Sequence, residues 1–209
     1  MCKVSICIPA YNDPDELKRL LTSVAEQTYS DYEVVITDDS DDDRISALIS
    51  GSCPVDAARV RYHRNDRKLG HIYNWNAAIS MAKGDYTKIM FSDDWFTSPD
   101  SLGKLVELLD SAPGADLAFC GSMQVSESDS YERKLSDTFI PALKADWRTV
   151  FAGNEIGAPS DTIYRGNKIL FDVHTNWASD VELYLHILSE NPHFAYTAEP
   201  LVSIGIHED

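Results

Sequence analysis

Residues 4–39 read VSICIPAYNDPDELKRLLTSVAEQTYSDYEVVITDD, and the order of patterns within them decides the fold. Val4 to Pro9 is a short, almost wholly apolar run of the buried-strand type. Pro14 to Gln27 sets Leu17, Leu20, Leu21 and Val24 on one face at helical spacing. Tyr32 to Thr37 is a second apolar run. Strand, helix and strand in this order, with no room for a hairpin between the strands, predict a parallel pair joined by a crossover helix.

Working outward, the alternation continues. Arg44 to Ile49 reads as a short helix and Arg59 to His63 as a third strand. Tyr73 to Lys83 is helical and closed by Gly84, and Tyr86 to Phe91 is again a strand. Pro99 to Leu109 repeats the helix signal, with Ser98 as its cap, and Ala115 to Cys120 completes the series. The expected architecture is α/β, a doubly wound and mostly parallel sheet with helices on both faces. After residue 121 the pattern loosens. Ser122 to Asp137 is polar, Ala145 to Gly157 is ambiguous, Asp161 to Tyr164 reads as a strand, Asp180 to Leu188 as a helix and Leu201 to Ile206 as a last strand. No repeat or change of composition divides the chain, so residues 1–209 are expected to form one domain, with an irregular second half over residues 122–209.

Composition narrows the functions. The chain has 209 residues, 18 basic and 34 acidic, for a net charge of −16. A surface this acidic repels polyphosphate backbones and anionic lipid, which argues against nucleic acid as a partner. Hydrophobic residues are 44 % and charged residues 25 % of the chain, the make-up of a folded globule and not of an acidic tail. No apolar run approaches the roughly 20 residues of a membrane-spanning helix, and no secretory leader precedes Val4. A cytoplasmic protein is expected, with membrane association peripheral at most. Cys2, Cys7, Cys53 and Cys120 form no Cys-x-x-Cys pair and read as free thiols.

Ligands of open α/β sheets bind beyond the carboxyl ends of the strands. That rule selects Ala10 to Asp13, Asp38 to Asp43 and Ser92 to Trp95. Five carboxylates, Asp38, Asp39, Asp41, Asp42 and Asp43, read either as a solvated loop ahead of Arg44 or as a pair, Asp38 and Asp39, projecting into the ligand crevice. Asp93 and Asp94 read either as turn residues ahead of Pro99 or as hard oxygen ligands for Mg²⁺ or Mn²⁺. His71 reads as a wall of the same crevice or as a surface residue. Arg64, Asn65, Arg67 and Lys68 form a small basic loop that either meets phosphate or is simply solvated.

Several of these segments, in this order, resemble family 2 glycosyltransferases of the GT-A fold. The resemblance is carried by Val4-Ser5-Ile6-Cys7-Ile8-Pro9-Ala10-Tyr11-Asn12, by Ser23-Val24-x-x-Gln27-Thr28 and by Glu33-Val34-Val35-Ile36-x-Asp38-Asp39-Ser40. Gly70, Asn76, Ala77, Ala82-Lys83-Gly84-Asp85-Tyr86 and Ser92-Asp93-Asp94 continue it. It covers residues 3–121 well and residues 154–209 loosely. It implies a nucleotide pocket formed by Pro9, Ala10, Tyr11, Asn12 and Asp39, with Asp39 on the base. It implies that Asp93 lies nearer the ribose, and that Asp94 holds Mn²⁺ or Mg²⁺ on the diphosphate.

In the second half, Asn176-Trp177-Ala178-Ser179-Asp180-Val181-Glu182-Leu183-Tyr184-Leu185 resembles the family's acidic helix start, with Ser179 where a Glu is usual. Asp180 then matches the general base of inverting members, or else simply favours the helix start. His207 resembles a late histidine near the metal, or is a terminal side chain in solvent. Trp75, where relatives often carry Arg, departs from the pattern, as does Trp95. The function implied is a metal-dependent, inverting transfer of a sugar from a nucleoside diphosphate donor, with UDP expected, to a hydroxyl of a saccharide or lipid-linked saccharide. The alternative of another class is an inactive nucleotide-binding or regulatory module with an acidic metal pocket. The chain's end at Asp209 is compatible with truncation on the acceptor side.

Overall fold

The structure, a computed structural model, describes residues 2–175 and 177–207. Strand β1 (Val4–Ala10) runs parallel to β2 (Tyr32–Asp38) with Val4 opposite Tyr32 and Ala10 opposite Asp38, so the two strands end level. Between them α1 (Pro14–Ala25) buries Leu17, Leu20, Leu21 and Val24 completely against the sheet. Each such side chain contributes about 1.5–3 kcal/mol relative to exposure. Asp13 caps this helix by accepting from the backbone N–H groups of Asp15 and Glu16, and Pro14 occupies the first turn, where its missing N–H costs nothing.

Helix α2 (Arg44–Ser52) leads to β3 (Val60–Arg64), and α3 (His71–Ser80) leads to β4 (Tyr86–Ile89). The sheet order β3-β2-β1-β4 puts a switch of direction between β1 and β4. Helices α1 and α2 cover one face and α3 the other, which the two apolar clusters record. Ile6, Ile8, Val34 and Ile36 pack with α1 and α2, whereas Cys7 and Val35 face α3.

The chain then makes a two-residue strand β5 (Trp95–Phe96), helix α4 (Ser101–Asp110) and β6 (Leu117–Val125). A hairpin returns through β7 (Ser130–Arg133), followed by α5 (Phe139–Ala145), α6 (Thr149–Ala152), β8 (Thr162–Arg165), α7 (Ser179–Glu190) and β9 (Phe194–Gly205). Strand β8 wedges antiparallel between β4 and β6, and β9 runs parallel to β6 on its other edge. The nine-stranded sheet is therefore mostly parallel, with helices on both faces, as expected.

Several boundaries differ from the sequence reading. Helix α4 starts at Ser101, because residues 98–101 close a turn in which Ser101 donates to the Ser98 carbonyl, and Asp100 holds the cap position assigned to Ser98. Strand β6 runs on to Val125 and pairs with β7 across a turn pinned by Ser126 and Asp129. Strand β9 begins at Phe194 and not at Leu201, its first half being an exposed edge without strict alternation. The four cysteines are free. No described helix is long and apolar enough to cross a membrane.

Candidate active site

The carboxyl ends of β1, β2 and β4 open onto a cleft with two lobes, and Pro9 and Tyr11 line both. One lobe, about 280 Å³, is bounded by Asp39, Lys68, Gly70, His71, Asn74 and Trp75. The other, about 270 Å³, is bounded by Asp13, Glu16, Phe91, Ser92, Asp93 and His207. It sits at the switch point between β1 and β4, where an open α/β sheet leaves its crevice.

In the first lobe Asp39 is an organiser. Its N–H donates to the Ala10 carbonyl, continuing the β1–β2 ladder by one rung. Its Oδ1 accepts from Asn65 Nδ2 at 2.9 Å and from Leu69 N at 2.8 Å, and its Oδ2 accepts from Gly70 N at 2.8 Å. The loop 65–70 is thus folded onto one carboxylate, and Oδ2, with a single donor, has capacity for another. Gly70 precedes α3 with φ +88°, a left-handed value that favours glycine and lets the chain turn from the Asp39 contact into the helix. Asn74 Nδ2 donates to the Ala10 carbonyl at 3.2 Å, and its Oδ1 accepts from Asn65.

The other residues of the expected nucleotide pocket divide. Pro9 and Tyr11 line the cleft. Ala10 is buried, and Asn12 bonds outward to Ser40 and Asp41, bracing the loop that Tyr11 also touches. Asp38 does not project into the crevice. It is 1 % exposed and accepts from Tyr62 Oη at 2.6 Å and from Ser40 N, because residues 38 and 39 leave the strand in opposite directions. Asp41, Asp42 and Asp43 are exposed and face Lys68, Arg44 and Arg64, so for them the solvated-loop reading holds. Within the basic loop, Lys68 lies over the Tyr11 ring at 4.4 Å and bonds its hydroxyl, and Asn65 serves Asp39. His71 lies on the wall, edge-on to Trp75 at 5.3 Å.

The acidic pair after β4 is split by burial. Asp93 has a side chain 37 % exposed, facing the second lobe, with Oδ2 3.2 Å from His207 Nε2. Asp94 is 2 % exposed and lines neither lobe. Its Oδ1 accepts from Gly205 N at 3.2 Å. Burial, and then the charge of Asp93, push its carboxyl up to about 8. This placement runs against Asp94 as the metal-bearing carboxylate. The chain turns into β5 immediately after it, which carries its side chain beneath β9 and leaves Asp93 on the cleft side.

Sequence reasoning passed over Glu16 and Phe91 in this lobe and gave Asp13 and Ser92, although both lie in the selected strand-end loops, no role of their own. Asp13 and Glu16 reach it from the start of α1. Phe91 meets Trp75 at 4.8 Å, closing an apolar floor that also includes Phe171. Ser92 Oγ is buried without a hydrogen-bond partner among the described residues, and its position as lone spacer before two acids was the available signal.

Asp180 lies at the start of α7, on the side of the helix that buries Leu183 and Tyr184, and its Oδ2 accepts from Asn154 Nδ2 at 2.7 Å. It lines neither lobe. Asn176, which opened the motif containing it, is outside the described residues.

A model of the family described as "Glycosyl transferase family 2" matches residues 5–188. Abequosyltransferase RfbV of Salmonella typhimurium is 36 % identical over 119 residues, 56 % of this chain and 35 % of that protein. The chain spans about a third of the length of such curated relatives. Among solved structures, S. aureus TarS 1-349 in complex with UDP superposes with a TM-score of 0.76 at 17 % identity, covering 98 % of this chain and 60 % of that one. The mannosyltransferase PcManGT from Pyrobaculum calidifontis, in complex with GDP-Man and Mn²⁺, superposes with a TM-score of 0.68 at 18 % identity, covering 98 % and 56 %. Both share this chain's GT-A arrangement of sheet and helices.

Proposed function

The chain belongs to glycosyl transferase family 2, and from that premise we propose that it transfers a sugar from a nucleoside diphosphate donor to a saccharide or lipid-linked hydroxyl, with inversion and with a divalent cation. The observation that carries this reading is the two-lobed cleft at the β1–β4 switch point, with a polar lobe around Asp39 and an acidic one around Asp93. The first suits a nucleoside. Asp39 Oδ2 accepts from a base N–H, and Tyr11 supplies a ring face. UDP is the first donor to test, because an acceptor beside a ring face suits the N3–H of uracil and because a structural neighbour is complexed with UDP.

The second lobe suits a diphosphate only with added positive charge. Asp13, Glu16 and Asp93 all line it, and three carboxylates repel a second anion. Asp93 and His207, a hard oxygen and an imidazole nitrogen within 3.2 Å of each other, fit a Mn²⁺ or Mg²⁺ ion as two of its ligands. Such an ion, when bound, neutralises the charge that grows on the departing diphosphate. The metal role thus passes from Asp94 to Asp93, while Asp94 supports the turn from below. Asp180, held by Asn154, takes the proton from the acceptor hydroxyl as the new glycosidic bond forms.

Calorimetry with UDP, GDP and dTDP, each with and without Mn²⁺, tests the reading. Nucleotide affinity is expected to rise with Mn²⁺ in the wild type and in Asp94→Asn, and to lose that rise in Asp93→Ala. Binding of none of the three nucleotides would sink the proposal, and metal dependence that survives in Asp93→Ala but not in Asp94→Asn would return the ion to Asp94. Affinity without turnover of any nucleotide sugar would favour the inactive-module reading.

A further inference from the structure

Behind the cleft lies a buried polar network that the proposed chemistry leaves unexplained. Arg133, the last residue of β7, sends Nε to Ser122 Oγ at 3.0 Å and Nη1 to the Glu155 carbonyl at 2.7 Å. Its Nη2 donates to the Ile156 carbonyl at 3.2 Å and to Asp161 Oδ2 at 3.1 Å. Asp161 has no exposed surface. Its Oδ2 also accepts from Ala158 N and Ser122 Oγ, and its Oδ1 has no hydrogen-bond partner among the described residues. Lys88, equally buried, donates to the Ser160 and Ile89 carbonyls. Gly157 has φ +106°, and a Cβ on it would stand 2.2 Å from Asp161 Oδ2 and 2.4 Å from Arg133 Nη2, so the segment passes the ion pair because it has no side chain there.

The segment gripped in this way, residues 154–161, touches both parts of the proposed reaction. At one end Asn154 Nδ2 holds Asp180 Oδ2 at 2.7 Å and also bonds the Gly157 carbonyl, which Tyr184 Oη secures at 3.0 Å. At the other end Ser160 Oγ accepts from Phe91 N at 3.1 Å, which ties the segment to the turn 91–94, and within that turn Asp94 Oδ1 holds Gly205 N. Phe91 and Asp94 flank Ser92 and Asp93, and Gly205 lies two residues before His207. The contacts are therefore continuous from Asp180, through the segment, to the turn that carries Asp93 and the strand end that carries His207.

We propose that Arg133 is a positioning residue, fixing segment 154–161 so that Asp180 and the Asp93–His207 pair keep one spacing. This rests on the functional reading above and adds to it a residue remote from the cleft. A guanidinium suits the task because its planar fork serves two carbonyls, a hydroxyl and a carboxylate together, and a lysine ammonium cannot reach all four. The nucleoside lobe shares no residue with this network, so the donor's nucleoside contacts are expected to survive its loss.

Two readouts test the assignment in Arg133→Met and Arg133→Lys. The first is hydrogen exchange of the protein without ligand. Peptides covering residues 91–94 and 205–207 are expected to exchange at least about tenfold faster in both variants, while β1 and β2 keep wild-type protection. The second is hydrolysis of UDP-GlcNAc and GDP-mannose with water as acceptor and Mn²⁺ present. Here kcat is expected to fall about tenfold with KM within about threefold, and Asn154→Ala is expected to add little in the Arg133→Met background. Wild-type exchange in those peptides together with wild-type kcat overturns the proposal, as does a lower Tm with kcat unchanged or full additivity with Asn154→Ala. If Arg133→Met does not fold, Arg133→Lys decides. If the wild type hydrolyses neither donor, the exchange pattern alone decides whether Arg133 sets the spacing, and the nucleotide calorimetry above decides the functional reading separately.

Discussion

Asp41, Asp42 and Asp43 stand exposed on the loop after β2, each paired directly with a cation at the surface, whereas Lys88, Asp94 and Asp161 are shut inside the junction where β4 meets β8 and β6. Both regions are dense in charge, yet they use it differently. The exposed loop forms ion pairs that water screens, and such pairs contribute little to stability. At the junction water is excluded, so each charge must find protein partners or become neutral, and the partners it finds fix geometry. A ligand lobe borders each region, so the first is expected to tune affinity and the second to hold the catalytic groups in place.

The largest break in this contrast is expected from Lys88→Met. Removing the ammonium leaves the buried Ser160 and Ile89 carbonyls without their donor, and each unpaired buried polar group costs about 1–3 kcal/mol, readable by urea unfolding. Burial pushes Lys88 down to about 8 from its ordinary value of 10.5. Between those values the unfolded chain binds more protons at this site than the folded chain, so the lysine's contribution to stability rises with pH. The margin of wild type over Lys88→Met should therefore widen from pH 8 to 10.5. A margin constant with pH would show that the ammonium is not penalised by its surroundings.

Next comes Asp180→Asn, which keeps shape and the Asn154 contact but removes the basic oxygen. Transfer to a working saccharide acceptor is expected to fall by about 10²-fold or more, with nucleotide affinity unchanged. Near wild-type transfer, or a product that retains the donor's anomeric configuration, would remove Asp180 from the base role. The smallest of the three effects belongs to the nucleoside lobe. Asp39→Ala should weaken UDP binding by roughly 1–3 kcal/mol, the scale of a hydrogen bond to a charged group. It should also speed exchange of the Leu69 and Gly70 amides, whose acceptor is gone. Faster exchange with unchanged affinity would reduce Asp39 to a loop anchor and sharpen the division between ligand contact and scaffold.

Legibility in the sequence followed the same division. The β1-α1-β2 unit, the sheet class and the strand-end positions of Pro9, Tyr11, Asp39 and Asp93 could be read because apolar periodicity and strand-end loops are local properties. The hairpin β6–β7 and helix α5 were not read. Their polar residues, such as Ser126 and Asp129 in the turn, carry no period, and their apolar ones, such as Phe139 and Leu143, are buried by elements far along the chain. Which of Asp93 and Asp94 faces the cleft was not legible for a related reason. Two adjacent carboxylates look alike in sequence, and which one is buried depends on β9 arriving beside β5 more than 100 residues later.

By itself, then, the sequence determined a mostly parallel α/β sheet, its family and the strand ends at which a ligand is to be sought, since each of these is written in patterns a few residues long. Tertiary structure alone decided which acids face the cleft, that loop 65–70 closes on Asp39, and that Arg133 grips the segment joining Asp180 to the Asp93 turn. Those outcomes depend on burial and on hydrogen bonds between residues tens of positions apart, and the free energy of a charged group is set by whether water or protein surrounds it once the chain has closed.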